Sequence, residues 1–347
     1  MAMIEDKVPK IPAGVAETTL STHLVAGGLQ RLPQGKARDS YLLPNQSNMR
    51  MVVVTDRLSA FDIVTSSLFP CKGYVLNAMN HFAVTTIMAD HDHDLIAVGP
   101  EIDRYLPPHF RGNTELQARA SIVMNLKMLK VEGIARGYLT GSAVEPYQKT
   151  GEVCGIKLPP GLIDGSKLPE PAFTPSTKSE DDHDEHMDAE DAERQFGIKQ
   201  LTLELYNRCA AHGLPRGIIF VDTKAEFGLD RNRKMRYADE RGTPDSSRFW
   251  PAATYDEYLA AEKPQPSFDK QFVRDFLKTV VTEYGPFPKL KPKIDEQRAA
   301  GHAVRIPPEI IGRTTELYLE IFELWTGNDP EAYIRYDMGV MDFRLPL

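Results

Sequence analysis

The stretch "GIIFVDTKAEFGLD", followed by "DRNRK" and "KMRYADE", constrains the fold most. Strict alternation marks it as a half-buried strand: Asp222, Lys224 and Glu226 share one face, while Val221, Thr223, Ala225 and Phe227 share the other. "DRNRK" reads as a turn and "KMRYADE" as the antiparallel return strand. A turn centred on Asn232-Arg233 sets Glu226 opposite Asp239. Like charges directly opposite are destabilising, so two facing carboxylates make sense with a divalent cation between them. The competing reading, a solvated hairpin face, has equal weight, and a one-residue change of register would unpair the acids.

Around that hairpin the chain reads as α+β, two-lobed, with antiparallel sheets and packed helices. "QGKARDSYLL" and "MRMVVVTDR" flank the turn-rich "PNQSN" as a first hairpin. Residues 75–90 read as a helix, 120–137 as one long strand, 151–178 as a Pro/Gly-rich loop and 189–211 as a single helix. "DKQFVRDFLKTVVTEYG" and "PPEIIGRTTELYLEIFELWTG" read as helices, the second opened by prolines and closed by Gly327. At 347 residues the chain exceeds one ordinary core. The expected division is a strand-rich lobe, 1–125, carrying a phosphate-covering loop, and a larger α+β lobe, 126–347, carrying the metal and substrate site.

Charge is uneven. Nine acids and no Lys or Arg lie between Glu180 and Glu193, so the formal −8 becomes −8 + 9 = +1 for the rest. No basic stripe suggests nucleic acid, and no run of ~18 apolar residues suggests a membrane span. "MAMIEDKVPKIPAG" lacks the apolar core of a signal peptide, and three scattered cysteines (71, 154, 209) read as small buried hydrophobes rather than a disulfide framework. A reduced, cytoplasmic protein is expected. The histidines of "HDHD" (91–94) and of the acidic block read as solvated loops rather than a metal trap.

Several other stretches suit an anionic, phosphorylated ligand. "QGKARDSY" sets Gly35 where backbone can approach a ligand, with Lys36 and Arg38 on one strand face; it is not a P-loop, because the G-x-x-x-x-G-K-[ST] spacing is absent. "ARGYLTGSA" joins Arg136 to two glycines, Thr140 and Ser142. "DERGTPDSSRFWP" presents Asp245, two serines and Arg248, whose guanidinium fork matches phosphate or carboxylate. "VVTDRLSAFD" ends an apolar strand with Asp56, Arg57, Ser59 and Asp62, half of it explicable as a buried strand-end ion pair.

Together, "GKARDSY", "VVTDRLSAFD", "ARGYLTGSA", "FTPSTKSE…HDEH", "VDTKAEFG" and "DE…TPDSSRFW" occur in an order, over roughly residues 20 to 280, that resembles the SAICAR synthetase family in its longer form. The resemblance implies two lobes like those of ATP-grasp enzymes and protein kinases. It also implies an ADP-forming ligase of purine biosynthesis, joining L-aspartate to the carboxylate of carboxyaminoimidazole ribonucleotide. A carboxylate acylates poorly, so ATP would convert it to an acyl phosphate before the amine attacks. By the same resemblance Gly35, Lys36 and Arg38 cover the ATP phosphates, and Met128 and Glu132 lie at the adenine hinge. Glu226 and Asp239 hold Mg²⁺, and Arg136, Ser142 and Arg248 hold the ribonucleotide phosphate. Asp62, Asp184, Asp222, Lys224 and Asp245 line the substrate and aspartate pockets, with Lys36, Lys224 and Asp222 serving the chemistry. The chain departs from the family pattern at Lys130, in place of a hinge proline, and at His186, in place of the asparagine of "HDEN". A small-molecule kinase on the same lobes is the rival reading.

Overall fold

A computed structural model describes residues 19–177 and 185–346. The first expected hairpin forms: β1 (Arg38–Leu43) pairs antiparallel with β2 (Gln46–Val54), turning at Pro44-Asn45, where Asn45 takes a left-handed conformation. A second hairpin, β3 (Arg57–Ala60) and β4 (Ile63–Leu68), turns tightly through Phe61 and Asp62, both with positive φ. Helix Lys72–Phe82 follows and continues as one π-helical segment, Ala83–Ile87, so the expected helix over 75–90 starts earlier and ends in a widened turn.

Residues 120–137 do not make one strand. They make β6 (Ala120–Met124), which closes a four-stranded sheet in the order β1-β2-β6-β5, where β5 is Leu95–Val98. The chain then bends through β7 (Lys127–Met128) and enters a different sheet as β8 (Val131–Tyr138). Asn125 and Leu126 interrupt the run, and the backbone crosses there from one sheet to the other.

The supposed loop 151–178 holds more structure than its prolines suggest. It contains a small hairpin, β9 (Glu152–Val153) with β10 (Ile156–Lys157), then β11 (Lys167–Phe173) and β12 (Ser176–Thr177), both pairing with β8. Pro169 and Pro171 are tolerated because the ladder shifts register between Lys167 and Ala172. The expected helix over 189–211 is two helices, Ala189–Phe196 and Lys199–Gly213, split at Gly197 in a left-handed turn.

At the centre of the larger sheet lies β13 (Ile218–Leu229), paired with β8, with β14 (Met235–Ala238) and with β15 (Ser247–Pro251). Val221, Thr223, Ala225 and Phe227 of β13 are all buried, but a register shift between Phe220 and Asp222 parts Val221 from the packing of Ala225 and Phe227. Ala225 and Phe227 join the main core, where Phe220, Phe249 and Trp325 pack ring against ring and which helices Lys199–Gly213 and Pro308–Thr326 close; Val221 packs with Ile219 and Trp250 in a smaller cluster. The residues of "DKQFVRDFLKTVVTEYG" form helix Gln271–Lys278 followed by a short hairpin. Helix Gln271–Lys278 and Leu290 bury a separate core against β3 and β4, so the hairpin that ends in Asp62 rests on the C-terminal third of the chain.

"HDHD" is no solvated loop. His91 lies between Asp90 and Glu204, Asp92 pairs with Lys234 and Arg236, and the buried Asp94 binds the buried Arg241 guanidinium. The segment latches β5 to the β14 hairpin. Among the described residues no group of three or more His, Cys, Asp or Glu is arranged to hold a metal, and no helix is long and apolar enough to cross a membrane.

Candidate functional site

The loop before β1 is shaped from below by one buried ion pair. Arg57 and Asp39 are both fully buried, with guanidinium-to-carboxylate contacts of 2.6 and 3.2 Å. The same guanidinium donates to the carbonyls of Gly35 at 3.2 Å and Lys36 at 3.4 Å. The strand-end ion pair anticipated for "VVTDRLSAFD" is therefore this one, and its work is to hold the loop. Lys36 points outward to Asp62 at 2.6 Å across the tip of the second hairpin. Arg38 reaches Glu240 at 2.7 Å and Asp239 at 3.4 Å.

Glu226 and Asp239 do not face each other. The observed register pairs Glu226 with Ala238 and Phe227 with Tyr237, one residue from the pairing expected, because the five-residue turn 230–234 is centred on Asn232. Asp239 instead ends the strand with φ +58, and its carboxylate turns toward Arg38. Lys224 lies 2.7 Å from Glu132 and 4.0 Å from Glu226. Burial alone would favour neutral Lys224, but Glu132, Glu226 and Asp239 outweigh it and hold the ammonium well above the ordinary lysine range. The two acids thus reach one neighbourhood through a left-handed turn, not through cross-strand pairing.

Four residues down the strand, on the same face, is a second charged group. Asp222 accepts from Arg248 and lies 3.6 Å from Arg136, so two guanidiniums share one carboxylate. Burial, with the like charge of Arg248, lowers the Arg136 pKa. Arg136 is oriented by the Thr174 hydroxyl at 2.8 Å and the Thr140 carbonyl at 3.0 Å. Gly141 has φ +61, and a Cβ there would meet the Arg248 guanidinium at 2.6 Å. Only glycine lets this backbone turn come so close to the cation. Ser142, next in the chain, is exposed.

Asp245 belongs to a buried support. Its carboxylate accepts from Lys72 at 2.7 Å and from the Tyr318 hydroxyl at 2.7 Å. Burial opposes its ionisation, yet Lys72 and Lys270 hold the carboxyl far below its usual range. Two cations from one segment near it escaped sequence reasoning. Arg274 lies 3.6 Å from Asp269 and feels the field of Arg248; Lys270, beside Asp245, has its pKa lowered to about 8 by burial, with help from Arg274 and Lys72. They come from "DKQFVRD", which reads as an amphipathic helix, and nothing in its spacing marks a site.

Met128 and Glu132 both lie just past the crossing between the sheets: β7 pairs with the end of β13, Met128 opposite Gly228, and Glu132 sits 5% exposed with its carboxylate on Lys224. Asp184 lies outside the described residues. Cys71 and Cys209 are buried as expected, but Cys154 is only partly so and contacts His186.

Asp222 of β13 therefore gathers Arg136 from β8 and Arg248 from β15 into a cation group suited to a phosphate and, two residues on, the same strand sets Lys224 among carboxylates suited to phosphoryl transfer. That is the arrangement of an ATP-dependent ligase acting on a phosphorylated substrate. Comparison with known proteins agrees. The SAICAR synthetase family profile matches residues 31–289. A phosphoribosylaminoimidazole-succinocarboxamide synthase of Cupriavidus metallidurans is 39% identical over 325 residues, 89% of this chain and 99% of that one. One from Mycobacterium marinum is 41% identical, covering 86% and 94%. A SAICAR synthase from Saccharomyces cerevisiae, solved in complex with SAICAR, is 34% identical with a TM-score of 0.73, covering 91% and 99%. The chain belongs to the SAICAR synthetase family, and is an ATP-dependent ligase of purine biosynthesis with the α+β fold of that family.

Proposed function

We propose that the chain joins L-aspartate to the carboxylate of carboxyaminoimidazole ribonucleotide, with the ribonucleotide laid along β13. The observation that carries this reading is the pair of guanidiniums on the single carboxylate of Asp222. That group has a positive excess, as a phosphate ester requires. From Asp222 to Glu226 the strand advances about 13 Å at ~3.3 Å per residue, which leaves room for a mononucleotide between the guanidinium pair and the acids. Arg136, Arg248 and the turn at Gly141-Ser142 hold the phosphate. Asp222 fixes both guanidiniums, with Arg274 and Lys270 adding positive potential behind them. Asp245 acts through Lys72 and Tyr318.

At the other end, Lys36 and Arg38 cover the ATP phosphates, and Met128 and Glu132 border the adenine at the crossing between sheets. The donor set suits Mg²⁺: Glu226 and Asp239 are partly exposed carboxylates, and among the described residues no group of three or more His, Cys, Asp or Glu closes around them, so phosphate oxygens would complete the shell. Glu226 and Asp239 would hold Mg²⁺, which would neutralise charge on the transferring phosphoryl group. Lys224, kept charged by Glu132, stabilises the same oxygens. The γ-phosphoryl of ATP passes to the substrate carboxylate and ADP leaves; the neutral amine of aspartate attacks the acyl carbon and expels phosphate. Holding the reactants in place supplies much of the acceleration, since oriented pairs reach effective molarities of ~10⁵–10⁸ M.

ADP release with each substrate omitted in turn tests the reaction. ADP formed equally well without aspartate, with no amide, would restore a kinase. Glu226→Gln and Asp239→Asn each lower turnover by about 10²-fold or more with the fold intact. Near-normal activity in both would sink the metal assignment.

A further inference from the structure

Behind the Gly141-Ser142 turn lies a contact that the reaction does not require. Cys154 occupies the turn between β9 and β10 with φ +53, followed by Gly155, where a side chain would run into the Asp188 carboxylate. The Cys154 carbonyl accepts from the Ala189 amide at 3.0 Å, so the turn is pinned to the start of helix Ala189–Phe196. Its sulfur stands 3.2 Å from Nδ1 of His186, and Nε2 of His186 stands 3.2 Å from the Ser142 carbonyl oxygen. A carbonyl can only accept, so Nε2 carries the proton and Nδ1 of the neutral ring is an acceptor; the single thiol S–H has two acceptors in reach, Nδ1 at 3.2 Å and the Pro175 carbonyl at 3.7 Å, and the nearer is Nδ1. Burial and the nearby Arg136 charge lower the His186 pKa, and burial pushes the Cys154 thiol up to about 11, so both partners stay neutral near pH 7.

His186 is itself held. It forms an antiparallel bridge with Ser176, and the Thr177 and Met187 amides donate to the Glu185 and Pro175 carbonyls, both at 2.9 Å. Two strands of backbone thus fix one end of the imidazole, and Ser142 is at the other.

We propose that His186 is a positioning residue for the ribonucleotide phosphate: its Nε2–H fixes the Ser142 carbonyl, and Cys154 sets the ring tautomer that makes this possible. The link sets the Gly141-Ser142 turn against the Arg248 guanidinium before substrate arrives. It rests on the reading of this pocket as the phosphate site.

Two amides separate the contacts of the ring. A glutamine at 186 can place its NH₂ near the position of Nε2, whereas an asparagine reaches only that of Nδ1. His186→Asn is expected to raise the ribonucleotide KM roughly three- to tenfold, the loss of about one hydrogen bond, with kcat and the KM values for ATP and aspartate within twofold. His186→Gln is expected to return the ribonucleotide KM to within about twofold of the parent. A normal ribonucleotide KM in His186→Asn, a parallel rise in all three KM values, or a glutamine variant no better than asparagine overturns the inference. If His186→Asn does not fold, ¹⁵N imidazole shifts of the parent protein decide: a protonated Nε2 supports the link and a protonated Nδ1 overturns it. Arg248→Lys is measured alongside. A raised ribonucleotide KM there with a normal one in His186→Asn removes only the positioning role, whereas a normal KM in Arg248→Lys removes the phosphate assignment itself.

Discussion

Replacing Arg57 by methionine tests how the nucleotide-covering loop is held. Arg57 and Asp39 are 0% exposed, and the guanidinium makes two contacts to the carboxylate and two to the carbonyls of Gly35 and Lys36. The substitution leaves Asp39 buried with the Ser21 hydroxyl, at 2.7 Å, in place of a cation. Removing one partner of a buried pair costs about 3–5 kcal/mol, mostly the penalty of the stranded charge. The double variant Arg57→Met/Asp39→Leu strands no charge, leaving only neutral hydrogen-bonding groups without that partner, and should recover most of that loss, to within about 1–2 kcal/mol of the parent. Urea unfolding followed by far-ultraviolet circular dichroism and tryptophan fluorescence reads the difference where the two transitions coincide. Stability and loop geometry then part company: both variants lose the donors to Gly35 and Lys36, so both should show a KM for ATP raised about tenfold. A single variant losing under about 1 kcal/mol, or a double variant no more stable than the single, would refute the stranded-charge argument. A normal KM for ATP in the double variant would refute the loop's dependence on Arg57.

Other outcomes follow from the same geometry. Gly141→Ala combines a positive φ with a Cβ 2.6 Å from the Arg248 guanidinium, so steady-state kinetics should show a ribonucleotide KM raised about tenfold and an unchanged KM for ATP. Lys270, with its pKa lowered to about 8, is partly neutral at pH 8–9, and a bound phosphate dianion restores its charge. Calorimetry in two buffers should therefore record proton uptake on ribonucleotide binding at pH 8–9, little at pH 6.5, and less in Lys270→Met. For the unliganded protein the sign is the usual one for a depressed lysine: its cost to stability is fully present below pH 8 and is relieved as pH rises toward 10.5.

The sequence announced the site where chemistry and periodicity coincide. The face shared by Asp222, Lys224 and Glu226 follows from a side-chain repeat of two, and it survives in the fold. The relation of Glu226 to Asp239 was less legible, because register depends on turn length, and the left-handed Asp239 replaces pairing by a bend. The strand read over 120–137 failed for a different reason: an apolar run has the same pattern whether it stays in one sheet or crosses to another. Lys72, Lys270, Arg274 and Tyr318 were invisible because only tertiary contact, across as many as 173 residues between Lys72 and Asp245, gives them a role. Cys154 departed from the expected buried hydrophobe because a tight turn holds it at the rim of the fold, beside an imidazole.

The alternation along β13 also constrains how this chain can vary through descent. Substitutions at Thr223 or Ala225 trade packing volume and leave the working face in order. Insertion or deletion of a single residue between Asp222 and Glu226 is of another kind. It would carry part of the charged set into the core and deliver buried side chains to the substrate, breaking both ends of the site in one event. Length change is expected to be tolerated away from the site, as around Gly197, whereas the span from Asp222 to Glu226, and the turn 230–234 that sets the register leading to Asp239, keep a fixed residue count.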